Sequence, residues 1–168
     1  MVTSNRSHTR DCVSIVKPKH ATEGATAWLL LAYKVPREPT SARVYVWRKM
    51  KQLGALALQD AVWVLPATSR TQEQFQWLEA EIVELGGEVT LWTAQPASEN
   101  QGQSLQQQFE QQVDVEYREI LDQLKKKARD LTALSRRYQQ AHSRDFFQSE
   151  LGQKVRQALL AAEGESKR

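Results

Sequence analysis

The chain has 168 residues, 40% of them apolar and 26% charged, the proportions of a folded globular protein rather than a disordered one. Its longest apolar run, residues 27–33, falls far short of the ~18 residues of a membrane span, so a soluble protein without membrane contact is expected. The net charge of +3 conceals a lopsided distribution. Six bases face one acid between Lys34 and Lys51, six acids face one base between Asp60 and Trp92, and seven bases face one acid between Leu124 and Arg144. Two basic patches flank an acidic one.

Residues 1–26 carry Arg6, Arg10, Lys17 and Lys19 but no apolar core with a small-residue cleavage site, so they read as a flexible N-terminal extension and not as a secretory signal. The single cysteine, Cys12, has no thiol partner within the chain, and a reducing cytoplasm is the expected location. A first strand is expected over Trp28–Tyr33, apolar on consecutive residues and therefore central. Pro36 and Pro39 force a turn. A helix follows, capped by Thr40 or Ser41, with Val44, Trp47, Met50 or Lys51 and Leu53 as its apolar stripe and Gly54 as its stop. Residues 55–59 and 61–65 are two short strands around Asp60, either a tight hairpin or one bent strand, ended by Pro66. A second helix capped by Thr71 carries Phe75, Leu78, Ile82 and Leu85 to Gly86-Gly87, and Glu88–Thr93 closes the pattern as a last strand.

Strand, helix, strand, strand, helix, strand is the split β-α-β order of an α+β ferredoxin-like sandwich, expected over residues 27–95 with both helices on one face of a four-stranded sheet. Its other face would be solvated, covered by the C-terminal segment or used in dimerisation, and Trp28, Trp63 and Trp92 argue against bare exposure. Residues 94–104 read as a linker. Beyond it Leu105, Phe109, Val113, Tyr117, Leu121, Leu124, Ala128, Leu131, Ser135 and Tyr138 trace one long amphipathic helix. A short terminal helix with Leu151, Val155, Leu159 and Ala162 on one face follows, the helical segment spanning 104–163.

The residues of catalysis are sparse. His8, His20 and His142 assemble neither a metal cluster nor a Ser-His-Asp arrangement, His142 beside Asp145 suits a solvated or capping pair, and Gly86-Gly87 suits a helix stop. A carboxylate near the end of the first strand would hold Mg²⁺, but that place reads Tyr33-Lys34. Glu73, Glu79, Glu81 and Glu84 lie mostly opposite the apolar stripe of their helix, as a solvated face does. No enzyme, cofactor or metal is expected. Arg and Lys docked on phosphate need no catalytic geometry, so the functional candidates are Arg43, Arg48, Lys49 and Lys51 on the first helix and Lys125, Lys126, Arg129, Arg136 and Arg137 on the long one. The competing explanation is a solubilising face, or pairing with the protein's own acids.

Trp28-Leu29-Leu30-Leu31 with Tyr33 and Pro36, Arg43-Val44-Tyr45-Val46-Trp47-Arg48, Leu53-Gly54-Ala55, Val62-Trp63-Val64-Leu65-Pro66, Phe75-Gln76-Trp77-Leu78 and Glu81-Ile82 before Gly86-Gly87 together resemble the amino-terminal domain of ChrB-type chromate-resistance regulators. Arg144-Asp145-Phe146-Phe147 is similar to the segment that follows in that family. The resemblance implies a cytoplasmic transcription regulator that binds double-stranded promoter DNA of a chromate-efflux operon, and a homodimer. Longer members continue into a chromate-response domain, for which these residues hold no counterpart, so a separate chromate-response protein is an expected partner. The alternative is a non-enzymatic interaction module whose long helix and strand tryptophans form the interface.

Overall fold

The computed structural model describes residues 27–126 and 130–166. The expected extension with Cys12, and residues 127–129 with the candidate Arg129, lie outside the described residues. The first six elements are β1 (Trp28–Lys34), α1 (Thr40–Leu53), β2 (Leu56–Gln59), β3 (Val62–Pro66), α2 (Ser69–Glu84) and β4 (Glu88–Ala94). The sheet has the order β2-β3-β1-β4 with every pair antiparallel. Each helix thus carries the chain past one strand to the next place but one, the ferredoxin-like arrangement expected from the sequence. β2 and β3 form a hairpin, with a register shift between Ala57 and Gln59 that settles the choice left open around Asp60.

β1 is central, and its alternating side chains serve two layers. Leu29 and Leu31 join Val46 and Met50 of α1 and Phe75, Leu78 and Ile82 of α2 in one core. Trp28, on the opposite face, stacks on Phe109 at 5.6 Å and tilts against Phe147 at 6.0 Å. The second sheet face is therefore covered in part by the C-terminal segment. Trp28 and Trp63 are buried, whereas Trp92 stays 53% exposed.

Several local expectations are corrected. α1 buries Ala42, Val46 and Met50, and the expected stripe residues Val44 and Trp47 are 40% and 50% exposed. The row that faces the sheet is the one without charge, while Trp47 shares its row with Arg43 and Lys51 and stays outside with them. No side chain caps α1: Pro39 holds the cap position, and Thr40 is already helical. Gly54 ends the helix at φ 76, where its missing Cβ admits the left-handed turn, and its N–H donates to the Lys51 and Met50 carbonyls. The cap of α2 is Thr68 and not Thr71: the Thr68 hydroxyl accepts from the Thr71 N–H, and the Thr71 hydroxyl accepts from the Thr68 N–H. Leu85, expected in the α2 stripe, is exposed.

The presumed linker is short, because α3 (Glu99–Leu124) begins at once with Ser98 accepting from the Gln101 N–H. The long apolar stripe of the sequence does not run on unbroken. It is divided between α3 and α4 (Leu131–His142), the latter capped by Asp130, whose Oδ1 accepts from the Ala133 N–H at 3.0 Å. α5 (Glu150–Ser166) completes a three-helix packing unit. Val113, Tyr117, Ile120 and Leu124 of α3, Leu134, Tyr138 and Ala141 of α4, and Val155, Leu159 and Ala162 of α5 form a second core. One amphipathic stripe cannot bury itself, and folding it back on its own continuation gives it a partner.

Tyr117 is the hub of this second core. It is fully buried, its hydroxyl donates to Asp145 Oδ2 at 3.0 Å, and its ring lies where Gly152 leaves room: a Cβ on Gly152 would stand 2.8 Å from the ring. Asp145 also accepts from the Ser149 N–H just before α5, in keeping with the capping alternative expected for His142 and Asp145, while His142 stacks on Tyr138 at 5.4 Å. Gly152→Ala should therefore destabilise the protein by about 1–3 kcal/mol through overpacking. Gly164→Ala, where nothing lies within 4 Å, should be neutral or stabilise by up to about 1 kcal/mol through helix propensity. Thermal melts of the two variants check the contrast. Burial, with the Asp145 charge beside it, pushes the Tyr117 phenol well above its ordinary value. Because the folded-state value is the higher one, this contribution is fully present below the unfolded phenol value of about 10 and is lost as pH rises beyond it. Tyr117→Phe should cost about 1 kcal/mol at neutral pH through the lost hydrogen bond and flatten the alkaline decline, as read in denaturant titrations from neutral to strongly alkaline pH.

Candidate nucleic-acid interface

With Ala42, Val46 and Met50 turned inward, the helical period of α1 fixes what remains outside. Arg43, Trp47 and Lys51 succeed one another at four-residue steps along one flank, Val44 and Arg48 point away from the sheet, and Tyr45 and Lys49 lie on the flank toward α2. Arg43, Arg48 and Lys51 are exposed and make no ion pair among the described residues. Lys51 lies with its Nζ 5.7 Å from the Trp63 ring centre, and its place in the last turn also suits the negative end of the helix. Arg43 is close enough to Tyr33 to oppose the rise that burial imposes on that phenol.

Lys49 behaves differently. Its Nζ is 3.1 Å from Glu81 Oε1 on α2 and 5.2 Å from the Tyr45 ring centre, and Tyr45 and Glu81 together raise it above the ordinary ammonium range. It closes the seam between the two helices, and so is less available to an outside phosphate than its neighbours.

The C-terminal candidates divide in the same way. Lys125 pairs with Asp122 at 2.8 Å and Arg137 with Glu119 at 2.7 Å, while Arg144 pairs with Glu116 at 2.7 Å. The neighbouring Lys125 ammonium holds the Asp122 carboxyl below its usual range. Lys126 and Arg136 are exposed and make no ion pair among the described residues. Of the second basic segment, Arg144 is packed against Gly54 at the end of α1 and is held by Glu116, whereas Lys125 and Lys126 lie away from it. The end of α1 meets α3 where Gln112 Nε2 donates to the Gly54 carbonyl at 3.3 Å, and Lys125 lies a further thirteen residues along the helix, about 20 Å at 1.5 Å per residue. The expected cationic surface is thus not continuous from α1 to Lys125 and Lys126, and the cations without an ion pair are densest on α1.

Trp47 was read from the sequence as core and was missed as a surface residue. The signal was available: the row 42, 46, 50 is wholly apolar, whereas the row 43, 47, 51 has a cation on either side of the ring. On the uncovered part of the sheet an apolar groove of about 400 Å³ is lined by Trp28, Leu30, Val64, Pro96 and Leu105. Among the described residues no group of three or more His, Cys, Asp or Glu is placed to hold a metal ion, and no helix is long and apolar enough to cross a membrane.

No solved structure matches the chain. Protein ChrB of Cupriavidus metallidurans is 31% identical over 110 residues, a stretch that covers 66% of this chain and 30% of that protein. The chain therefore spans under a third of the length of the curated relative it matches. The family profile "Protein ChrB, N-terminal" matches residues 43–133, from the first turn of α1 to the first turn of α4 and so over more than half of the chain. The protein belongs to the ChrB amino-terminal family.

Proposed function

We propose that this protein is a transcription regulator of the chromate-resistance type, acting in the cytoplasm as a homodimer on double-stranded promoter DNA, without enzymatic activity. The observation that carries the reading is the outward set Arg43, Arg48 and Lys51, three cations on one rigid helix with no acidic partner among the described residues. Guanidinium and ammonium groups free of internal pairs can replace the counterions of a phosphate backbone at small desolvation cost, and the entropy of the released ions supplies affinity. Groups already held by carboxylates, such as Arg137 on Glu119 and Lys125 on Asp122, must break a pair first. Lys126 and Arg136 suit a secondary contact.

A second reading has an observation of its own. Trp77 on α2 is 68% exposed, with Glu73 and Glu81 one turn to either side. That strip suits a basic protein segment and repels nucleic acid. The other surface foreseen for an interaction module is less available, since the apolar face of α3 is buried within the chain and Trp28 and Trp63 are internal.

Gel-shift titration against the protein's own upstream intergenic DNA and a scrambled duplex, at two salt concentrations and with and without chromate, distinguishes the two. Affinity should fall steeply with salt. Arg48→Gln should weaken all sequences alike and reduce the slope of log K against log salt by about one, with Arg137→Gln reducing it by less. Binding insensitive to salt, or none at micromolar protein, would reject the regulator and leave the docking module.

A further inference from the structure

Two tryptophans stand out on the helix layer, and their surroundings are opposite in charge. Trp47 on α1 is 50% exposed and Trp77 on α2 is 68% exposed. On an α-helix the residues four before and four after lie on the same face. For Trp47 these are Arg43 and Lys51, and for Trp77 they are Glu73 and Glu81. One ring sits between two cations without an acidic partner among the described residues, and the other between Glu73 and a Glu81 that is paired with Lys49.

An exposed indole costs hydration free energy that a soluble protein ordinarily avoids. A rotation of α1 that buried Trp47 would also carry Arg43 and Lys51 toward the sheet, so the ring shares the exposed position of the two cations. The fold keeps the wholly apolar row Ala42, Val46 and Met50 against the sheet. The helix that carries Trp47 is fixed to the core through Val46 and Met50, and Lys51 at its end lies over the Trp63 ring at 5.7 Å. A flat apolar ring on a packed helix between two cations without an acidic partner among the described residues matches a polyanion that presents a free aromatic face. Phosphates would meet Arg43 and Lys51, and the ring would meet a base that has left its stack.

We infer that Trp47 is a base-stacking residue, and that the preferred ligand of α1 is nucleic acid with an unstacked or unpaired base flanked by intact backbone. This rests on the nucleic-acid reading of α1 and adds the ligand's local structure to it. Regular duplex would then be bound through charge alone, and a duplex with a distorted step through charge and stacking together.

The probes are a short duplex with one unpaired thymine at its centre and the same duplex fully paired, titrated with the full chain by fluorescence anisotropy. The wild type should prefer the bulged duplex by at least about fivefold, the lower end of what one stacked base contributes. Trp47→Leu should abolish the preference while leaving the salt slope unchanged, Trp47→Phe should keep part of it, and Trp77→Leu should behave as wild type. Circular dichroism of each variant should show an intact fold, since neither side chain is in a core. A wild type indifferent to the bulge, a Trp47→Leu variant that retains the preference, or a Trp77→Leu variant that loses it equally would overturn the inference while leaving charge-driven DNA binding intact. So would a fall in light-scattering mass for Trp47→Leu, which would make the ring a contact between copies. If neither duplex binds even at low salt, the nucleic-acid reading of α1 fails, and the stacking role with it.

Discussion

The stacking of Trp28 on Phe109 is the contact on which the rest of the architecture depends. A four-stranded sheet with two helices on one face leaves its other face in water, and β1, the central strand, begins there with an indole. Phe109 lies eleven residues into α3, so stacking it on Trp28 fixes where that helix leaves the sheet. Phe146 meets Phe109 edge-on at 5.7 Å and Phe147 lies against Trp28, so the turn between α4 and α5 is drawn to the same point. Three distant segments converge on one aromatic cluster. Clusters of this kind contribute about 0.5–1.5 kcal/mol per pair beyond the area they bury, and the larger effect here is geometric.

From that anchor α3 works as a spine with two cores. Phe109 belongs to the core of the sheet unit, and one turn further on Val113 and Tyr117 belong to the core of the helical unit. Because an α-helix resists bending between them, the position of the helical unit follows from the aromatic cluster. The return loop then brings Arg144 against Gly54, where a Cβ would stand only 2.9 Å from the arginine side chain, and pairs its guanidinium with Glu116. The end of α1 is thereby clamped from outside the sheet unit. A functional helix gains precision when its neighbours are fixed by packing rather than by loops.

The strands, both sheet helices and the ferredoxin-like order were legible because each rests on a local pattern: prolines at 36 and 39, glycines at 54 and 86, and apolar runs of strand length. The division of the C-terminal stripe was harder to see. Leu124, Ala128 and Leu131 keep helical spacing across the break, and only Asp130, a good cap residue, marks the restart. Period records which residues face a partner and says nothing of whether that partner is another protein or the same stripe folded back. The inner face of α1 was misread for a different reason. Trp47 shares its row with Arg43 and Lys51, and Val44 shares its row with Arg48, so burying either would carry a cation toward the sheet, whereas Ala42, Val46 and Met50 form a row without charge. The same row-by-row reading that corrects the fold also exposes the candidate site, because the row left outside is the one with a cation on either side of an indole.

The charges on the helix layer then acquire an order that the total of +3 hides. α1 and α2 lie side by side, and where they touch, Lys49 and Glu81 neutralise each other. Away from this seam α1 offers Arg43, Arg48 and Lys51 while α2 offers Glu73 and Glu84, so the field changes sign across little more than the width of two helices. Exposed charges act over roughly a Debye length, about 8–10 Å at physiological salt, which is close to the spacing of packed helices. A polyanion approaching this layer would therefore be attracted on one side and repelled on the other, and could settle only along α1 with its backbone turned away from α2. On that argument the acidic helix is part of the proposed interface, since it restricts the orientations in which the basic one can be used.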